Sequence, residues 1–192
     1  MANTADVSGR GRSNRWRIAG WSIPVALLAL PFIAMQIGSH GVRWTFSDFI
    51  VMGALFVFVG AAFEMFVRLS PSLVYRAAAG LALLATFLVV WVNLAVGIIG
   101  SEHNPSNLMY FGLCGIGIVA TLLVRGGPAA MARITLGMGV GQVLVTAMAL
   151  IVGRDEPFTS VVPEMVGNCA FAGLWLMSAW LFSRAAREPA SK

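Results

Sequence analysis

Ala77-Ala-Ala-Gly-Leu-Ala-Leu-Leu-Ala-Thr-Phe-Leu-Val-Val-Trp-Val-Asn-Leu-Ala-Val-Gly-Ile-Ile99 carries no charged side chain from end to end. At about 1.5 Å per residue such a helix crosses the roughly 30 Å of bilayer hydrocarbon. Ala79, Ala82, Thr86, Val90, Asn93, Gly97 and Gly100 recur at three- and four-residue spacing. They give one small, weakly polar face, suited to close helix packing where no water drives association. Leu83, Leu84, Phe87 and Trp91 are left for larger contacts or for lipid.

Five further apolar runs accompany it. The predicted spans are 18–37, 49–67, 77–99, 108–124, 134–152 and 162–182, joined by short connections rich in Gly, Pro, Ser and Asn. Short connections make sequential helices antiparallel neighbours. The 192 residues are 58% hydrophobic and only 11% charged, with a mean hydropathy of +0.83. Soluble domains run near 45–50% apolar and about 25% charged, so a soluble enzyme, a disordered tail and a disulfide scaffold are all excluded. The fold class expected is all-α, an integral membrane bundle of six transmembrane helices. Residues 1–17 form a basic cytoplasmic tail, 18–183 the transmembrane domain and 184–192 a second cytoplasmic tail.

Charge placement sets the expected orientation. With the N-terminus in the cytoplasm, Arg10, Arg12, Arg15, Arg17, Arg68, Arg76, Arg125, Arg133, Arg184, Arg187 and Lys192 lie inside, and only Arg43 and Arg154 lie outside: eleven of the 13 basic residues against two. Asp48, Glu102, Asp155, Glu156 and Glu164 fall outside. Every inner connection then obeys the positive-inside rule, giving both termini in. The net charge of +5 is accounted for by these span ends; no continuous basic stripe is present, so nucleic acid is not an expected partner. The first 40 residues have the basic and apolar regions of a signal peptide. The apolar run is too long, however, and Ala34-Met35-Gln36-Ile37-Gly38 offers no small-x-small cleavage site, so an uncleaved first span is expected.

Several residues stand out within this frame. Pro24 and Pro31, seven apart, share a face of the first span and are expected to kink it. Trp16, Trp21, Trp44 and Tyr110 lie near span boundaries, as interfacial anchors do. Gly112, Gly115 and Gly117, and the run Gly137-Met138-Gly139-Val140-Gly141, read as close-packing positions. Cys114 and Cys169 read as small residues buried in apolar helices.

Glu64 is the one acid deep inside a predicted span, Glu164 standing at the outer end of the last, and an intramembrane carboxylate is costly unless paired. Glu64 and Arg76 are equidistant from residue 70, so a tight hairpin brings them to one depth, with Tyr75 beside them. A structural ion pair is the first reading; a proton-linked site on Glu64 is the alternative. Asn93, Gln36, Gln142, Thr146 and Asn168 are uncharged polar residues within spans, suited to interhelical hydrogen bonds or, if they converge, to lining a small cavity. Asn93 is the foremost of them because its face is otherwise small.

His40 and His103, the only two histidines, fall on the outer side, with Glu102 adjacent to His103 and Asp48 and Glu164 in neighbouring connections. Such a cluster has the donor types for a divalent metal or a haem, but no HxxxH or HxxE spacing fixes a geometry. No GxSxG, HExxH, Walker or GxGxxG motif is present. No cofactor is expected on this reading.

The stretch Phe87-Leu-Val-Val-Trp-Val-Asn-Leu-Ala-Val-Gly-Ile-Ile-Gly-Ser-Glu-His-Asn-Pro-Ser-Asn-Leu-Met-Tyr-Phe111 resembles a segment of small multi-pass bacterial inner-membrane proteins, an uncharacterised group. Its core reads WVNLAVGIIGSE-x-NP-x-NLMYF. Trp44, Asp48, Glu64, Tyr75 and Arg76 are looser matches. That group usually has an acid where this chain has His103, which tells against a ligand role for that histidine. The resemblance implies a bacterial inner membrane and brings no reaction with it. The expected function is therefore a non-enzymatic membrane protein, an accessory or assembly subunit of a larger membrane complex, with the lipid bilayer and other membrane subunits as partners. The alternatives are a small proton-linked carrier or channel using Glu64, and a membrane haem or metal protein using the outer histidines. Against the carrier, residues 18–100 and 108–183 show no convincing inverted repeat.

Overall fold

A computed structural model describes residues 5–37, 43–100, 103–152 and 161–188 of the chain. It holds six α-helices among the described residues: α1 Ala5–Gln36, α2 Phe46–Leu69, α3 Leu73–Ala95, α4 Leu108–Leu123, α5 Pro128–Val152 and α6 Val161–Ala185. A 3-10 turn, Pro105–Asn107, leads into α4, and no strand occurs among the described residues. Five segments are long and apolar enough to cross a membrane: Phe46–Leu69, Leu73–Ala95, Pro105–Leu123, Pro128–Ile151 and Val162–Ala185. The apolar part described for α1, Trp21–Gln36, is shorter. Large side chains such as Ile116, Leu123 and Ile151 are 69–81% exposed. So much contiguous apolar surface is incompatible with water and marks a membrane protein.

Helix α1 runs unbroken from Ala5, in the basic segment, into the first apolar run. Helix α1 also continues through Pro24 and Pro31. The side chains of Arg10, Arg12, Arg15, Trp16 and Arg17 lie outside the described residues, as do His40, Glu102, Arg154, Asp155, Glu156 and Lys192.

The chain divides into two compact units, Met1–Ala61 and Ala62–Lys192. In the first, α1 and the start of α2 run antiparallel in one register. A Cβ on Gly60 would lie 2.9 Å from the Trp21 ring, and one on Gly53 would lie 4.0 Å from Leu28. Helix α2 starts where Asp48 Oδ2 accepts from the Thr45 backbone N–H at 2.6 Å and from its hydroxyl at 2.8 Å. This is the returning half of a capping box, with a carboxylate at the favourable end of the helix dipole. Asp48 therefore belongs to the first turn of α2.

In the second unit α3, α4, α5 and α6 close a ring in chain order, each helix packing on its sequence neighbour and α6 returning to α3. The pairings of α6 with α5 and α3 are the most extensive. The reason is legible in α6, where Asn168, Phe171, Ala172, Trp175, Ser178, Ala179 and Phe182 are buried at three- and four-residue spacing. Helix α5 answers with Met131, Thr135, Met138, Gln142, Thr146 and Ala149. The Ser178 hydroxyl donates to Ala78 O of α3 at 2.8 Å, and the Tyr75 ring meets Phe182 edge-on at 5.2 Å.

Only some of the expected packing glycines touch a neighbour. A Cβ on Gly117 would lie 2.6 Å from Met138 Sδ, on Gly139 2.9 Å from Leu176 Cδ2, and on Gly141 2.6 Å from Leu113 Cδ1. Gly112, Gly115 and Gly137 face open space. Cys114 is buried as expected, whereas Cys169 is exposed on the outside of α6.

Candidate functional site

The α3–α4 connection carries the least ordinary chemistry in the second unit. Helix α3 was expected to run to Ile99 but stops at Ala95. Gly97 and Gly100 adopt φ of 77° and 65°, a region that glycine enters without steric cost, so neither belongs to a helical face. The chain folds back, and Ile98 and Ile99 bury themselves among Val89, Tyr110, Cys114, Ala149 and Phe171. Burying them strips water from their backbone, and those groups then need protein partners. Asn107 supplies them. Its Oδ1 accepts from Ile98 N–H at 3.1 Å and Ile99 N–H at 3.0 Å, while its Nδ2 donates to Ile99 O at 3.3 Å.

Asn107 is itself fixed from two sides. Asn93 Nδ2 donates to Asn107 O at 2.9 Å. Asn104 Oδ1 accepts from Ser106 N–H at 2.9 Å, capping the 3-10 turn that carries Asn107. Glu164 of α6 closes the arrangement, its Oε1 accepting from Gly100 N–H at 3.0 Å.

Glu164 also links this connection to a second set of polar groups. Its backbone carbonyl accepts from Asn168 Nδ2 at 2.9 Å. Asn168 Oδ1 in turn accepts from Gln142 Nε2 at 2.9 Å and from the Thr146 hydroxyl at 2.8 Å. Thr146 Oγ1 lies 2.7 Å from Gln142 O and 3.3 Å from the Tyr110 hydroxyl. A single threonine proton serves one acceptor at a time, so Tyr110 is the donor in its contact with Thr146. The convergence joins α4, α5 and α6 through neutral amides and hydroxyls. Gln142 and Tyr110 are both completely buried. Tyr110, expected at the membrane boundary as an anchor, is instead a core residue, because its hydroxyl finds Thr146 inside.

The expected constellation of Glu64, Arg76, Tyr75 and Asn93 does not form one site. Glu64 Oε1 bonds Arg68 Nη2 at 2.6 Å, one turn along α2, with the two side chains 28% and 71% exposed. This is the ordinary ion pair of side chains four residues apart on one helix. Arg76 donates through Nε to Ser70 O at 3.0 Å and through Nη2 to Val67 O at 3.2 Å. It thereby satisfies carbonyls at the end of α2 that helix geometry leaves open. The Tyr75 hydroxyl donates to Gly126 O in the α4–α5 turn at 2.7 Å. Asn93 stands eighteen residues further along α3, about 27 Å away on a helix.

His40 and Glu102 lie outside the described residues, and His103 is exposed just ahead of the 3-10 turn. Among the described residues no group of three or more His, Cys, Asp and Glu side chains comes together as metal ligands would. Gln36 sits exposed at the end of α1. Asn107, Ser178 and Trp175 were not singled out from sequence, and Glu164 only as a carboxylate near the outer histidines. The three- and four-residue spacing of Glu164, Asn168, Phe171, Trp175, Ser178 and Phe182 is the signal that marks the inward stripe of α6. The chain matches no protein-family model, no curated protein and no solved structure.

Proposed function

We propose that the chain is a non-enzymatic protein of the bacterial inner membrane, with six spans and both termini in the cytoplasm, acting as an accessory or assembly subunit of a larger membrane complex. The observation that carries this reading is the uneven use of apolar surface. Only 6% of the most apolar window of α2 is buried, against 33% for α3 and 39% for α6. Helix α2 thus leaves large apolar side chains such as Ile50, Val51, Val57 and Phe58 open to lipid or to the helices of a partner.

The polar groups support the same reading. Gln142, Thr146, Asn168 and Tyr110 bond one another, and Asn107 bonds the α3–α4 backbone, as groups that hold helices together do. Glu64 is engaged by Arg68, which favours a structural carboxylate over a proton-linked carrier. The orientation rests on the clustering of arginine at alternate connections, and the choice of membrane on the resemblance of 87–111.

The test is the native mass of the protein released from its own membrane in a mild detergent. A particle holding this 20.4 kDa chain in fixed ratio with a second membrane protein is the expected result. A particle containing copies of this chain alone would refute the subunit reading.

A further inference from the structure

The turn between α4 and α5 holds an arginine where the backbone favours glycine. Arg125 has a φ of 53°, the one positive value outside glycine among the described residues, and Gly126 follows at 74°. In that region a Cβ crowds the neighbouring carbonyl, so glycine or asparagine is what the turn alone would select. Arg125 is exposed, so no core packing offsets this conformation. Strain kept at an exposed turn points to a use for the side chain.

The turn is pinned against the end of α2. The Tyr75 hydroxyl donates to Gly126 O at 2.7 Å, and a Cβ on Gly126 would lie 2.6 Å from Leu69 Cδ1. Arg76 reaches the same stretch, donating through Nε to Ser70 O at 3.0 Å and through Nη2 to Val67 O at 3.2 Å. The Arg76 guanidinium and the backbone next to Arg125 therefore meet residues 67–70, which include Arg68, all within the second unit. Each guanidinium carries five N–H donors. Arg76 spends two of them on these carbonyls and Arg68 one on Glu64 Oε1, so donors remain for an anion. Glu64 offsets only one of the three positive charges. Leu69, Leu73 and Leu123, close to the arginines along the chain, are all exposed.

We propose that Arg68, Arg76 and Arg125 bind the phosphate of an anionic phospholipid, whose acyl chains lie along Leu69, Leu73 and Leu123. Guanidinium groups match phosphate oxygens in charge and in fork geometry. Basic groups gathered between the ends of membrane helices stand at headgroup level, where such lipids present their phosphate. Leucines exposed beside the arginines select an amphiphile over a free phosphate ion. Tyr75 is a positioning residue, holding the turn so that Arg125 faces the end of α2. The inference rests on the membrane reading alone and holds whether or not the chain is a subunit of a complex.

The experiment counts lipids bound to the full chain in mild detergent by native mass spectrometry. Dioleoyl phosphatidylglycerol is compared with dioleoyl phosphatidylcholine, which shares its acyl chains and phosphate but carries no net charge. The parent should retain the anionic lipid at least fivefold more strongly. Arg125→Gly relieves the backbone and should unfold at no lower temperature than the parent, yet lose about fivefold in affinity for the anionic lipid, the usual effect of one basic group at a lipid surface. Arg125→Asn, also suited to positive φ, should behave alike and serves if the glycine variant is poorly folded. Arg43→Gln removes the same charge ahead of the opposite end of α2, about 35 Å along that helix, and should change affinity less than twofold. No preference between the two lipids in the parent would overturn the proposal. So would equal losses in Arg125→Gly and Arg43→Gln, which would report net charge alone, or displacement of the lipid by inorganic phosphate at the same concentration, which would report a site for a soluble anion.

Discussion

Replacing Asn107 by alanine should release the α3–α4 connection. The side chain makes three hydrogen bonds, two accepted from Ile98 and Ile99 N–H and one donated to Ile99 O. Asn107 itself is 3% exposed, Ile98 5% and Ile99 1%, so the three backbone groups cannot all turn to water without the loop moving. A net contribution of about 0.5–1.5 kcal/mol per bond gives a loss of about 3 kcal/mol. The figure falls toward the lower end if the small alanine lets water follow. Unfolding in mixed micelles, followed by far-UV circular dichroism, measures the loss of stability. Amide exchange at Ile98 and Ile99 measures the local effect and should accelerate more than exchange in the middle of α6. Asn104→Ala removes the cap of the short 3-10 turn and should cost about 1 kcal/mol. An Asn107→Ala protein as stable as the parent, with Ile98 and Ile99 still protected, would refute the reasoning.

Three further outcomes follow from the same geometry. Gly126→Ala should destabilise by about 2 kcal/mol, because φ is +74° and a Cβ would lie 2.6 Å from Leu69 Cδ1. Gly127→Ala, with nothing nearer than Val124 O at 3.8 Å, should stay within about 0.5 kcal/mol of the parent in the same unfolding assay. Gly141→Leu should weaken the α4–α5 contact by about 1–3 kcal/mol through overpacking against Leu113, whereas Gly137→Leu, which faces open space, should be nearly neutral; thermal midpoints in detergent separate the two. Glu64→Gln, which removes the charge that Arg68 pairs one turn away, should leave proton leak in liposomes as in the parent.

The helices were legible because a bilayer demands long apolar runs, and their ends were less so. Helix α3 begins four residues before the predicted start, at Leu73, because Ser72 caps it by accepting from Tyr75 N–H at 3.2 Å. From sequence, Tyr75 and Arg76 looked like connection residues; in the structure both act within the first turn. At the other end, Gly97 and Gly100 fit a helical repeat perfectly well. What unwinds them is Asn107, ten residues from Gly97, and no local pattern announces that contact. The Glu64–Arg76 pair failed for a related reason. Arg68 is one turn from Glu64 on the same helix, and Arg76 finds open carbonyls at the end of α2. Gln142, Thr146 and Asn168 could each be named from sequence as polar residues in spans. Their convergence depends on the rotation of α5 against α6, which spacing within one helix does not encode.

The arrangement of the chain across the bilayer is most directly tested at His103, exposed at the α3–α4 connection. His103→Cys in a Cys114→Ala/Cys169→Ala background should react in intact cells with a maleimide that cannot cross the inner membrane. Labelling only after that membrane is permeabilised would place this connection on the cytoplasmic side and contradict the orientation on which the proposed function stands.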